Sequence, residues 1–299
     1  AADQADRAQA HRAQHQGQTA AQVEARTVAV LGRRGGHGRT TTIISFSSDA
    51  DYRADFGPLT PGFDLIPFGD IDALEAAITP DTCAFLVEPI QAEVGIKVPP
   101  AGWLRAAQEV CKRHNVLFIL DEIQTGMART GQNFCFQHEI DKPDGLTLGK
   151  ALGGGIYPVS AFLARADVMD VFNPGSHGST FGGNPVAIAA AQATLDVLRD
   201  ERLPENAERV GRRLAEGIRA LPHVAEVRGA GLFLGVDLVG PDGRPDEPFT
   251  LAVVEAMKQR RVLIATAGAG NTTLKIRPPL PFDDADADRL LEALAEVLG

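Results

Sequence analysis

Long apolar runs are missing from this sequence. No stretch approaches the ~20 residues needed to cross a bilayer, and no signal peptide is legible at the N-terminus. No membrane role is expected, and the cytoplasm is the expected compartment. Cysteine is scarce: Cys83, Cys111 and Cys135 are the whole set, and none lies in a CxxC pair. That spacing argues against a zinc site, so no metal is expected. An odd, sparse set suits a reducing compartment, with the three thiols read as small buried apolar groups. Positive charge is also short. Lys and Arg number 29 against 39 Asp and Glu, a formal net charge of -10, which argues against nucleic acid or anionic membrane as the main partner.

The shortage is most local in residues 1–36. They hold one Leu, three Val and no Ile, Phe, Tyr, Trp or Met, and are rich in Ala, Gln and Arg. No apolar stripe of helical period runs through them. They read as a solvated helix or a disordered arm, with only Thr27 to Leu31 able to form a short strand.

The rest of the chain is different. With 299 residues and 44% hydrophobic content, there is enough to bury one large domain and a small one. Ala84 to Val87 is a short apolar strand ending in Glu88. Ala101 to His114 has helical spacing, with Trp103, Leu104, Ala107 and Val110 on one face. Val116 to Leu120 is a purely apolar strand ending in Asp121. A strand, helix, strand unit of this length predicts a parallel, buried pair with a right-handed crossover. Asn184 to Arg199 is an Ala-rich helix, and a domain boundary is expected near Leu203-Pro204. Beyond it, Ala207 to Leu221 is helical. Gly231 to Val239 alternates as an antiparallel-type strand with Leu232, Leu234, Val236 and Leu238 on one face. Leu251 to Arg260 is helical, Val262 to Ala265 extended, and Asp283 to Leu298 an amphipathic final helix. The expected architecture is α/β, with a smaller C-terminal α+β domain. The division is 1–36 as an aberrant stretch, 37–204 as part of a large domain and 205–299 as a small one.

Asp121 and Lys150 are the first candidates for chemistry. Open α/β sheets bind ligands at the carboxyl ends of their parallel strands. Asp121 ends one strand. Lys150 follows another, Leu146 to Leu148, and precedes Ala151-Leu152-Gly153-Gly154-Gly155. Small apolar neighbours predict a desolvated amine, with a lowered pKa and more nucleophilic character. Alone, either residue has an ordinary reading: a strand-end cap, or a solvated lysine. In matched strand-end positions they point to a cofactor site. Two glycine-rich look-alikes do not. The segment Gly32 to Thr40 suggests a phosphate loop, but Arg33 stands where the first glycine is needed and Arg39 where the lysine is. Gly229-Ala230-Gly231 enters a strand rather than leaving one for a helix, and reads as a turn.

Four ordered motifs carry a resemblance. Val87-Glu88-Pro89-Ile90-Gln91, Asp121-Glu122-Ile123-Gln124-Thr125-Gly126, Leu148-Gly149-Lys150-Ala151-Leu152 and His177 to Pro185 are similar to the central signature of class III aminotransferases. Among these, the ornithine aminotransferases are the most alike. The similarity runs from about His37 to about Leu238, and more loosely to the end. It implies a fold-type I transferase dependent on pyridoxal 5'-phosphate, with a mostly parallel sheet flanked by helices.

The resemblance also implies roles. Lys150 would form the Schiff base with pyridoxal phosphate and later move the proton. Asp121 would hold a proton on the pyridine nitrogen, and Gln124 would bond the ring hydroxyl. Ser179 and Thr180 would reach across a homodimer interface to the partner's cofactor phosphate. Arg39 would bind a substrate carboxylate. Glu93 would pair with a C-terminal cation, masking it for ornithine and freeing it for 2-oxoglutarate. That cation is open between Lys275, aligned without a gap on Pro278-Pro279-Leu280, and Arg277, aligned with one. Lysine, a point charge, would grip a carboxylate less specifically than the planar arginine fork.

The implied reaction transfers the δ-amino group of ornithine to 2-oxoglutarate, giving glutamate 5-semialdehyde and glutamate. Acetylornithine, 4-aminobutyrate or another ω-amine are alternative donors, and a non-catalytic truncated remnant is an alternative of another class. Upstream of His37 the resemblance stops. Gly36 stands where the family carries an aromatic that stacks on the cofactor, no phosphate loop is legible, and the family's N-terminal segment is absent. A reading-frame error upstream of His37 would produce this pattern, and the chain as written is expected to be a poor catalyst.

Overall fold

A computed structural model describes residues 30–32, 37–47 and 50–299. The expectations for Gly36 and for most of residues 1–36 lie outside the described residues. Val30–Gly32 is inside them, and it forms strand β1. It overlaps the short strand allowed at Thr27 to Leu31 and ends one residue later. β1 pairs in parallel with β2 (Asp64–Ile66) on one side and β3 (Ala84–Val87) on the other.

Three further strands complete this sheet: β4 (Leu117–Asp121), β5 (Gly145–Leu148) and β6 (Ala161–Ala164). The order is β2-β1-β3-β4-β5-β6, parallel throughout except for β6, which runs antiparallel at the edge. Between β1 and β2 lies the short helix α1 (Thr41–Ser45), and α2 (Ile71–Ala77) precedes β3. The expected crossover helix is α3 (Trp103–Arg113). It buries Trp103, Leu104, Ala107, Val110 and Cys111, a stripe of helical period. Its start is capped from a distance: the Gly102 and Leu104 N–H groups donate to the Glu139 carboxylate at 3.0 Å each. After β6 come the single turn α4 (Ala166–Met169) and the long helix α5 (Pro185–Asp200). Asn184 caps α5 through a bond from the Ala187 N–H.

The anticipated boundary at Leu203-Pro204 falls at the break between α5 and α6 (Leu203–Arg219). Helix α6 starts four residues before the expected Ala207. Pro204 in its first turn explains this, because that turn has no use for a proline N–H. A second sheet follows, in the order β7-β8-β10-β9, antiparallel at every pairing. Its strands are β7 (Val224–Ala230), β8 (Phe233–Leu238), β9 (Ala265–Ala267) and β10 (Thr273–Ile276). Helices α7 (Glu247–Gln259) and α8 (Asp284–Leu298) complete it. The extended segment expected at Val262 to Ala265 is shifted: β9 begins at Ala265, where its pairing with Lys275 of β10 begins.

β8 also departs from simple alternation. Leu232, Leu234, Val236 and Leu238 are buried as expected, but Phe233 is buried too. Phe233 packs with Ile90, Ala92, Ile96 and Cys135 of the first sheet's loops. The second sheet therefore has no solvent face here; it is pressed onto the carboxyl ends of the large sheet. Gly235 permits the approach, since a Cβ there would meet the Ile96 Cβ at 2.8 Å.

Candidate active site

The carboxyl ends of β4 and β5 lie side by side, with Asp121 paired in register to Thr147. Asp121 is the last residue of β4 and is buried. Its Oδ1 accepts the Ile123 N–H at 3.0 Å, and its Oδ2 receives His37 Nδ1 at 2.6 Å. The two side chains are 6% and 5% exposed, so water does little to screen the contact. Burial alone would lower the His37 pKa. The bond to Asp121, the Asp121 charge and the more distant Glu88 outweigh it, and the pKa is raised. Residue reading missed His37, which served only to mark where the motifs begin.

Lys150 stands three residues from the register partner of Asp121, just past the end of β5. Its φ is 44°, in the left-handed region where a non-glycine residue is strained. Its side chain is not enclosed, because Lys150 is exposed at the mouth of the cleft. The expectation of a desolvated amine holds all the same. The surrounding atoms still cost the ammonium hydration, and its pKa is lowered. Arg277 adds to that effect, while Asp121, Glu93 and Glu88 oppose it.

Four side chains line the approach from the second sheet. Glu93 Oε1 accepts from Lys275 Nζ at 2.7 Å and from Gln124 Nε2 at 2.9 Å. Gln124 Oε1 accepts from Arg277 Nη1 at 2.7 Å. Burial raises the Glu93 pKa, but the bonds from Lys275 and Gln124 outweigh it and the net direction is down. Gln124, expected on a cofactor ring hydroxyl, here bridges Glu93 and Arg277.

Beneath them sits Glu122, also missed in the sequence. Its carboxylate accepts the Thr125 hydroxyl at 2.7 Å and the Cys135 and Phe136 N–H groups at 3.0 and 2.8 Å. Burial pushes its pKa up to about 7. The adjacent Asp121-Glu122 pair in the sequence gave no sign that one carboxylate is structural. Arg129 is a third such residue. Its Nη1 donates to the Leu232 and Pro278 carbonyls, joining the loop after β4 to the β7–β8 turn and to the segment after β10.

Three expected residues stand apart. Arg39 is exposed, its guanidinium 3.4 Å above the centre of the Tyr52 ring. Ser179 and Thr180 lie on the fully exposed stretch 170–183, with Ser179 Oγ accepting the Gly182 N–H at 3.0 Å. No hydrogen bond among the described residues joins them to Asp121 or Lys150.

An amine with a lowered pKa, a buried carboxylate backed by an imidazole, and a polar rim at parallel strand ends form a donor set for an aldehyde-bearing aromatic cofactor. The family model for class-III aminotransferases matches residues 6–298. The chain belongs to the class-III aminotransferase family. The match begins upstream of His37, so the likeness reaches further toward the N-terminus than the motifs suggested. Among curated class-III relatives, the ornithine aminotransferase of an Exiguobacterium species is 47% identical over 264 residues, covering 88% of this chain and 64% of the relative. That of Brevibacillus brevis is 46% identical with the same coverage. The chain thus spans just under two thirds of the length of these relatives. Among solved structures, an ornithine aminotransferase from Toxoplasma gondii, described with partial occupancy of PLP at its active site, aligns with a TM-score of 0.85. It is 41% identical, over 92% of this chain and 64% of that one. An acetylornithine aminotransferase from Elizabethkingia anophelis aligns with a TM-score of 0.78 and 42% identity, over 92% of this chain and 67% of its own.

Proposed function

We propose that the protein to which this chain belongs transfers the δ-amino group of ornithine to 2-oxoglutarate, using pyridoxal 5'-phosphate. The reading rests on one observation above the others: Lys150 and the His37–Asp121 pair at adjacent strand ends. The names of the relatives support the ornithine assignment.

The residues present suit the cofactor at its ring and aldehyde end. Lys150 would hold it covalently, and Asp121 would face the ring nitrogen. The phosphate end has less support, since Ser179 and Thr180 are exposed and would serve a second copy of the chain. Bound there, pyridoxal phosphate would supply an electron sink for the carbon that loses its proton.

The chain's own residues would do the rest. His37 bonds Asp121 and, with the Ile123 N–H, fixes the orientation of the carboxylate that would face the ring nitrogen. The Lys150 amine, with its lowered pKa, sheds and regains a proton more readily near neutral pH than an ordinary lysine and so suits proton transfer. Glu93, Gln124, Lys275 and Arg277 would sort substrates by charge, and Arg39 would hold a carboxylate. We further propose a homodimer in the cytoplasm. The homodimer rests on α5, where Val186 and Val197 on one side and Ile188 and Leu195 on the opposite side are exposed. No helix among the described residues is long and apolar enough to cross a membrane.

Borohydride reduction of the cofactor-loaded protein should leave the label on Lys150, read by peptide mass. Label on Lys142 or Lys258 instead would reject the site. Asp121→Asn should keep the label and slow transamination by about 10²-fold or more, the scale of losing a preorganised charge. Preference for acetylornithine over ornithine by a large factor in kcat/KM would move the donor and leave the class intact.

A further inference from the structure

Glu93 is the only carboxylate among the four side chains that line the approach from the second sheet. Where that carboxylate stands depends on the loop that carries it. The loop is a tight hairpin. Gln91 and Lys97 exchange backbone bonds at 3.0 and 2.8 Å, and the Ile96 N–H donates to the Ala92 carbonyl at 3.2 Å. Its tip is strained, with φ of 100° at Gly95 and 53° at Ile96. A β-branched residue in that region persists only where its surroundings enforce it.

Arg228 of β7 enforces it. Its Nε donates to the Gly95 and Ile96 carbonyls at 3.0 and 3.1 Å, and its Nη2 to the Gly95 carbonyl at 2.6 Å. The rest of the guanidinium is locked to the sheet. Nη1 and Nη2 donate to the two Asp237 oxygens at 2.6 and 2.8 Å, and Nη1 also to Glu226 Oε2 at 3.0 Å. All five N–H donors of the side chain are therefore in use. The Gly268 N–H adds a bond to the Glu93 carbonyl at 3.0 Å. The register of the second sheet makes this hold possible. Arg228 lies opposite Gly235, and Gly235 lies opposite Lys275. Residues opposite one another on neighbouring strands share a face, so the two cations flank a position with no side chain. The loop fills that gap, since a Cβ on Gly235 would meet the Gly95 carbonyl oxygen at 3.0 Å. On one side of the gap Arg228 holds the loop backbone. On the other, Lys275 Nζ takes the Glu93 carboxylate at 2.7 Å.

We propose that Arg228 is a positioning residue for substrate choice: by holding the Gly95 and Ile96 carbonyls, it sets where the Glu93 carboxylate stands against Lys275 and Gln124. This role rests on the aminotransferase reading of the same cleft. Among the described residues no hydrogen bond joins Arg228 to Asp121 or Lys150. Its influence passes through Glu93 and falls on which donor is accepted. A loosened Glu93 leaves Lys275 less well neutralised, and that favours glutamate, which carries a second carboxylate, over ornithine. Lysine at position 228 would keep the charge, but its three donors cannot serve both the loop and Asp237 as a guanidinium does.

The test has two arms, run after thermal melts establish that each variant folds. In the first, hydrogen exchange is read by mass spectrometry and needs no activity. Arg228→Lys should speed exchange across residues 91–97 by about tenfold or more, as local opening becomes easier, and leave β4 and β5 as in the wild type. Asp237→Asn, which frees the guanidinium but keeps it, should do the same in smaller measure and serves if Arg228→Lys does not fold. Unchanged exchange across 91–97 would overturn the proposal. The second arm is a double-mutant cycle on the cofactor-loaded chain, read as the ratio of kcat/KM for ornithine to that for glutamate. Arg228→Lys should lower the ratio by about tenfold, the scale of a small misplacement of a positioned group. In a Glu93→Gln background the same substitution should change it by less than about twofold, because the group it acts through is gone. Equal losses for both donors would make Arg228 a structural clamp only and overturn the role in substrate choice. So would a tenfold shift that persists without the Glu93 carboxylate. A wild-type chain that transfers no amine from either donor would remove the functional reading and with it the role in substrate choice, while the exchange arm would still decide whether Arg228 holds the loop.

Discussion

Glu122 shows how one buried carboxylate can shape a site without touching the chemistry. By accepting Thr125, Cys135 and Phe136, it ties the turn bearing Asp121 and Gln124 to the segment 135–136. Burial moves its pKa from 4.5 to about 7. The folded chain therefore binds a proton between those values that the unfolded chain does not. Its contribution to stability is fully present below the unfolded pKa and is lost as the pH rises through the folded one, by about 3 kcal/mol. His37 acts in the same direction. Its folded pKa is raised above 6.5, so its contribution is complete below that value and fades as the pH climbs through the raised one. Glu122→Gln, which resembles the protonated acid, should gain on the wild type as the pH rises from 5 to 8. Urea unfolding at several pH values reads this directly. A difference between the two proteins that stays constant over that range would mean that Glu122 is ionised throughout.

At the scale of elements, backbone contact locks the two sheets together. Gly211 lies in α6, and a Cβ there would meet the Gly231 carbonyl oxygen at 2.0 Å. Gly231 has φ of 54°, and a Cβ on it would meet the Thr130 carbonyl carbon at 2.6 Å. Helix α6, the β7–β8 turn and the Arg129 loop are thus stacked with no room for a methyl group. Gly211→Ala should cost about 3 kcal/mol or more, because backbone cannot yield as a side chain does. Gly217, in the same helix, offers the contrast. Its added Cβ would meet only the Leu291 side chain, at 2.7 Å, and Leu291 can rotate away. Gly217→Ala should therefore cost about 1 kcal/mol or less, after its gain in helix propensity is counted. Equal losses in denaturant melts would show that the stack is looser than its geometry.

For the whole molecule, the exposed stretch 170–183 and the exposed apolar side chains of α5 together argue for a second copy. Phe172, Phe181, Val186 and Ile188 are all half or more exposed, and large apolar side chains bared this close together in sequence suit an interface. Ser179 and Thr180, on the same stretch, would serve the partner's cofactor. Ile188→Glu should therefore yield monomers in sedimentation velocity and weaken cofactor binding in parallel. Monomers that bind the cofactor as tightly as wild type would separate the two roles and leave Ser179 and Thr180 without one.

Order along the chain was enough for much of this. Apolar runs of four and five residues predicted β3 and β4, the short Leu146 to Leu148 segment predicted β5, and helical spacing predicted α3, because burying a face requires that period whatever the fold. Strand ends pointed to Asp121 and Lys150, since parallel sheets leave their carboxyl ends open. What pairs with what was not legible. His37 and Asp121 are 84 residues apart, and Lys275 and Glu93 are 182 apart. Local pattern carries no information on such meetings. The choice between Lys275 and Arg277 was open in the sequence because both cations share a face of β10. Only the docking of the second sheet on the first gives each its neighbour, bringing Glu93 to Lys275 and Gln124 to Arg277.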